Sequence, residues 1–223
     1  MQFNNTQTTI DYASEGSLLA RNKVLRQTYI LLAANVLFSA FCAFVGMKMG
    51  IGRIPWFIYL VGFFGLTFGI SANRNNGLGI ILLFAFTGFL GVSLSNILNF
   101  YVAYGLGNVV VKALVGSAVI FFALSAYVLK TGKNFNFLGG FLFVGMIVVL
   151  LASIGALLFN MTALSAVISG ACLMVFSGYV LFDTSRIMRG EEDNYILATL
   201  NLFINLFNIF VSLLNLLGIA GND

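Results

Sequence analysis

Apolar residues dominate seven stretches of this chain, at about Tyr29 to Met47, Ile54 to Ala72, Leu78 to Phe100, Val109 to Leu129, Phe135 to Phe159, Ala163 to Phe182 and Ile196 to Ala220. As helix, ~20 such residues cross ~30 Å of hydrocarbon, and a helix is one of the few structures that satisfies its own backbone in lipid. The pattern therefore predicts an all-α polytopic membrane protein with seven transmembrane helices and short connections. Ahead of them, Met1 to Gln27 is rich in Asn, Thr, Gln and Ser and ends in the basic cluster Arg21, Lys23 and Arg26. It reads as a tail with little fixed structure, giving a flexible cytoplasmic segment over residues 1–28 and a membrane domain over 29–223. Pro55, the only proline, falls at the first turn of the second stretch, where a missing N–H costs nothing, and Trp56 and Tyr59 beside it suit an interfacial aromatic belt.

The last two stretches break the apolar rule. Asp183 is the only acidic residue inside an apolar segment, and Asn201, Asn205, Asn208, Ser212 and Asn215 recur on the last segment at steps of four, three, four and three. At about 100° per residue these five side chains form one polar seam down a greasy helix. Lipid cannot satisfy amides, so the seam should face protein or a water-filled cavity, with Asp183 as its charged neighbour. Arg186, three residues on, is placed to pair with Asp183, and Tyr179, four residues before, to donate a hydrogen bond on the same face. Asp183, Asn205, Asn201, Asn208, Arg186 and Tyr179 are thus the candidates for ion or proton sensing. The bland alternative is a snorkelling Asp183–Arg186 pair at the end of the sixth span. Glu191, Glu192 and Asp193 read as a solvated loop opening the last helix, whose N-terminus favours acids.

Composition agrees with the pattern: of 223 residues, 60% are hydrophobic and 8% charged. The net charge of +4 is read as topology rather than as a nucleic-acid footprint. With the N-terminus in the cytoplasm, Arg21, Lys23, Arg26, Arg74, Lys130, Lys133, Arg186 and Arg189 lie inside, against Lys48, Arg53 and Lys112 outside. Eight against three favours the N-terminus inside and the C-terminus outside. Nothing resembles a removable signal peptide, so the first span is expected to direct insertion. Cys42 and Cys172 lie mid-span and read as packing residues.

The chain has no histidine, which removes His-containing metal sites, His bases and Ser-His-Asp triads. Asp183 has no acidic partner in another apolar segment, and no glycine-rich phosphate loop is present. The expectation is a protein that is not an enzyme and uses no metal or cofactor. Stripes at helical spacing, Asn35, Ser39, Cys42 and Gly46 on the first span, Gly62, Gly65 and Gly69 on the second, and Gly88 and Gly91 on the third, read as close helix packing.

The stretches NKVLRQTYILL, FAFTGFLG, AYVL followed by NFLGG, GYVLFDTSRI and NYILATLNLFINLFNIFVSLLNLLG, in this order, resemble the Bax inhibitor family, and most closely its bacterial YccA-type branch. The resemblance implies a seven-helix bundle with the seventh helix central and wrapped by the other six. It implies one of two functions in the bacterial inner membrane. The first is modulation of the membrane protease FtsH, as a poorly degraded substrate and inhibitor. The alternative is a calcium or cation leak channel gated by an aspartate pair on the sixth and seventh helices. Asp183 matches the sixth-helix position, but the seventh-helix position falls on Asn205. Two neighbouring carboxylates share a proton, whereas an amide cannot ionise and donates its N–H to the carboxylate. This chain is expected to keep a polar cavity and to have lost most of the proton switch. The basic residues that the family places near the pair are also thinner here, with Arg74 the only candidate at the end of the second span.

Overall fold

The computed structural model describes residues 4–159 and 164–220, and side chains over 22–156, 159 and 164–220. Seven helices follow one another, α1 Asn4–Lys48, α2 Trp56–Ala72, α3 Gly77–Ala103, α4 Gly107–Thr131, α5 Leu138–Leu158, α6 Leu164–Arg189 and α7 Tyr195–Ala220. Six of them carry stretches long and apolar enough to cross a membrane, with Asn22–Lys48 the spanning part of α1. The second helix is shorter than the stretch that predicted it. It starts after Pro55, and its 17 residues rise ~26 Å, less than the ~30 Å of hydrocarbon. The segment expected to lack fixed structure also differs, since α1 is helical from Asn4. A helix already nucleated in the span adds polar residues at little cost, because propagation is far easier than nucleation. Residues 1–3 and the expected start of the sixth span at Ala163 lie outside the described residues.

The seventh helix is the hub. It packs against α1, α2, α3, α4 and α6, and buries Leu202, Ile209 and Leu214. The fifth helix is the exception to the expected wrapping by six, because among the described residues it rests on α6 alone. Its contact is a set of notches. Gly178 of α6 receives Leu142, whose Cδ2 lies 2.5 Å from where a Cβ would stand, and Gly145 of α5 faces Val175 at 3.1 Å in the same sense. Bulk on one helix thus sits against a missing side chain on the other, which holds α5 onto the outer face of α6 and away from α7.

The α1–α3 interface closes differently. A Cβ on Gly91 would collide with the Ser39 carbonyl, so the two backbones touch there. Four residues up α3, the Thr87 hydroxyl donates to Asn35 Oδ1 at 2.9 Å, and both residues are fully buried. The small-residue stripes on α1 and α3 therefore act as packing surfaces, as their spacing suggested. On α2 the stripe is only partly used, since Gly62 backs onto Phe89 while Gly65 meets nothing.

Loops at the α6–α7 end are pinned by side chains. Gly190, at φ 73°, ends α6 with Glu191 N–H donating to Arg186 O at 2.9 Å, a left-handed cap that suits glycine. Asn194 then caps α7, its Oδ1 accepting from the N–H groups of Ile196 and Leu197 at 3.1 Å each. Its Nδ2 donates to Arg74 O at 2.9 Å and Asn75 Oδ1 at 3.0 Å, tying the α6–α7 turn to the α2–α3 turn. Ser185 Oγ accepts from Phe135 N–H at 3.1 Å and donates to Lys133 O at 3.2 Å, which fixes the α4–α5 loop.

Candidate functional site: an intramembrane cleft on helices 6 and 7

Holding α5 away from α7 leaves a cleft. It has a volume of about 830 Å³, with Tyr59, Leu60, Phe63 and Phe64 of α2 on one side and Met146, Val149, Leu150 and Ser153 of α5 on the other. Among the described residues the α2 and α5 backbones make no close approach. The floor is α6 and α7. All six residues expected to form a site, Asp183, Asn205, Asn201, Asn208, Arg186 and Tyr179, line this one cavity. They meet because α6 and α7 are antiparallel neighbours across a five-residue turn, residues 190–194, so a position near the end of one helix faces a position two to three turns into the next.

At the centre of the floor, Asn205 Nδ2 donates to Asp183 Oδ2 at 2.7 Å, and both residues are buried. The amide–carboxylate bond expected from the substitution at the seventh-helix position is thus present. This bond ties the two helices together at the cleft. Two other expected contacts are not made. Among the described residues Arg186 forms no salt bridge, and its guanidinium lies 5.5 Å over the Phe182 ring. Asp183 turns toward α7 instead, while the flat guanidinium finds an aromatic face on its own helix. Among the described residues Tyr179 donates no hydrogen bond to Asp183; it stands between Phe176 and Phe182, with ring centroids 6.2 and 6.3 Å away. The snorkelling Asp183–Arg186 pair is therefore absent.

The polar seam of α7 divides in two. Asn201, Asn205 and Asn208 face the cleft, with Asn208 Nδ2 returned to Ile204 O at 2.8 Å on its own helix. Asn215 does not; its Nδ2 donates to Ser165 Oγ at 3.0 Å and Ser169 Oγ at 2.8 Å, which makes it an interhelical fastener. Ser212 is buried beside it. Arg74 does not line the cleft, and its carbonyl serves the Asn194 tie. Sequence reasoning missed the aromatic wall, Phe63, Phe176 and Phe182, and the cap Asn194. A period-three run of aromatics from Phe176 through Tyr179 to Phe182 was the available signal for the wall.

A helical bundle with apolar outer faces and a carboxylate–amide pair in a cleft between its helices is a polytopic membrane protein, to which fold alone assigns no reaction. The chain belongs to the Bax inhibitor family, since the family described as "Inhibitor of apoptosis-promoting Bax1" matches residues 21–222. Among its relatives, the modulator of FtsH protease YccA of Escherichia coli (strain K12) is 45% identical over 207 residues, which is 93% of this chain and 94% of that protein. An uncharacterized protein of Pasteurella multocida is 46% identical over 86% of this chain and 88% of its own length. One of Pseudomonas aeruginosa is 43% identical over 90% of each.

Proposed function

We propose that this protein is a modulator of the membrane protease FtsH, sitting in the bacterial inner membrane. The observation that carries the reading is the 45% identity to a protein named for that role, spread over 93% of this chain. The physical case adds two features. A protease that pulls on its substrates needs an end to grip, and α1 continues from the membrane span back to Asn4. A bundle closed by backbone contact at Gly91 and Ser39 then resists extraction. The excess of Lys and Arg at the end carrying the α6–α7 turn supports an orientation with that end and the N-terminal segment in the cytoplasm and the C-terminus in the periplasm, and α2 serving as a seventh, short span. Deletion of residues 2–20 is expected to abolish restraint of the protease while the truncated protein still inserts. Unchanged restraint, measured as the turnover of a second membrane substrate, overturns the reading.

A second reading, a cation leak with weakened proton gating, is favoured by one observation: the carboxylate of Asp183 and the amides of Asn201, Asn205 and Asn208 share a single cavity. Calcium flux into proteoliposomes at mildly acidic and mildly alkaline pH tests it. Flux lost in Asp183→Asn supports the leak, and pH sensitivity appearing only in Asn205→Asp identifies the missing carboxylate as the switch. No flux from any folded variant removes this reading.

A further inference from the structure

We propose that the cleft between α2 and α5 holds one acyl chain of an anionic phospholipid from the leaflet at the α6–α7 turn, with the headgroup phosphate on Arg186. The inference does not depend on the protease reading. Entry is lateral: among the described residues the α2 and α5 backbones stay apart and α5 leans on α6 alone, so the opening faces hydrocarbon. The length fits. Along α6 the cleft runs from Cys172 to Arg186, fourteen residues that rise ~21 Å, more than the ~15 Å that one leaflet of hydrocarbon occupies. The volume of about 830 Å³ lies within the ~300–1,000 Å³ typical of small-molecule sites.

The chemistry selects the ligand class. The lips, Leu60, Phe63, Phe64, Val149 and Leu150, are apolar, as an acyl chain requires. Two of the three amides on the floor are already occupied, Asn205 with Asp183 and Asn208 with the Ile204 carbonyl, so a chain laid across these two strands neither donor. Charge is placed at one end. Among the described residues Arg186 is the only cation lining the cleft, lies at its turn end and has no ion-pair partner, whereas Arg189 is already paired with Glu191 at 2.9 Å. Asp183 lies nearly one turn deeper and is turned to Asn205, leaving the guanidinium edge free for a phosphate while its face rests on Phe182.

Quenching by brominated lipid tests the proposal directly. The chain has one tryptophan, so Trp56→Phe gives a silent background. Into it go Phe176→Trp, a reporter lining the cleft, or Phe143→Trp, on the exposed face of α5 outside it. Brominated phosphatidylglycerol, as a minor component of phosphatidylcholine bilayers, should associate with the cleft reporter about fivefold more strongly than brominated phosphatidylcholine does, the gain expected from one basic side chain. The outer reporter should show no preference. Arg186→Gln should bring the cleft ratio to one, and Arg186→Lys, which keeps the charge and reports on folding, should retain most of it. Equal ratios at the two reporters, or a cleft preference that survives Arg186→Gln, overturns the proposal.

Discussion

The α1–α3 interface and the α2–α5 cleft begin from similar sequence material, polar residues spaced to one side of apolar helices, and end as opposites. Between α1 and α3 the residues facing the polar groups are small. Gly91 lets the Ser39 backbone in, and Thr87 and Asn35 satisfy each other with no space left. Lining the cleft with Asp183 and Asn205 are Phe63, Phe176, Tyr179 and Phe182, and α5 is held on α6, short of α7. Polar spacing on a membrane helix therefore announces a buried polar contact but not its kind. The size of the facing side chains decides between a fastener and a site, because backbones approach closely only where side chains are small. The α7 seam contains both outcomes within one helix, with Asn215 fastened to Ser165 and Ser169 and Asn205 opening on the cleft.

This contrast can be broken from either side. Gly91→Leu forces a side chain into the α1–α3 backbone contact and should destabilise the protein by about 3 kcal/mol or more, the upper range for overpacking. Leu150→Phe, on the lip of the cleft, adds similar bulk where there is space and should leave thermal unfolding in detergent nearly unchanged. Equal losses from the two substitutions would show that the cleft is no more open than the interface. Next in size, Asn205→Ala leaves the buried Asp183 oxygen without its amide and should cost about 1–3 kcal/mol. Asn35→Ala should cost less, about 1 kcal/mol, because the Thr87 hydroxyl keeps a second acceptor in Phe84 O at 3.2 Å. Unfolding midpoints of the two variants compare them. Asn194→Ala removes the α7 cap together with its ties to Arg74 and Asn75, at about 1 kcal/mol, and should appear as faster hydrogen exchange over residues 196–198.

The smallest effect lies outside the membrane. Arg189, through its hydrogen bond, and then Asn136 hold the Glu191 carboxyl below its usual range. A depressed value means that this clip contributes above the ordinary glutamate range near ~4.3, and the contribution is lost as pH falls through the lowered value. Amide exchange around Asn136 should therefore respond to Glu191→Gln at neutral pH, and the difference should vanish in strong acid. A response that persists in strong acid would assign the clip to something other than the carboxylate.

Much of the site was legible in advance. An acid in an apolar run and amides at helical steps stand out because lipid offers them no partner, and the Asp183–Asn205 bond follows from two antiparallel neighbours joined by a short turn. The partner of Arg186 was not legible. Spacing three residues from Asp183 permits an ion pair, but the direction of the carboxylate is set by α7, and Phe182 offers the guanidinium an aromatic face that helical spacing alone does not rank. Tyr179 differs for the same reason, its ring packing tilted on Phe176 and edge-on to Phe182 rather than donating to the acid.

The sequence by itself determined that the chain is helical and membrane-embedded, which residues are too polar for lipid, and which family it joins, since each depends on local composition and order. Only the tertiary structure decided which polar stripes close and which remain open. That outcome depends on α5 docking on α6 through Leu142 in the notch at Gly178, short of α7. Such a contact is a match of shapes between residues far apart in sequence, and no periodicity within either helix encodes the gap it leaves.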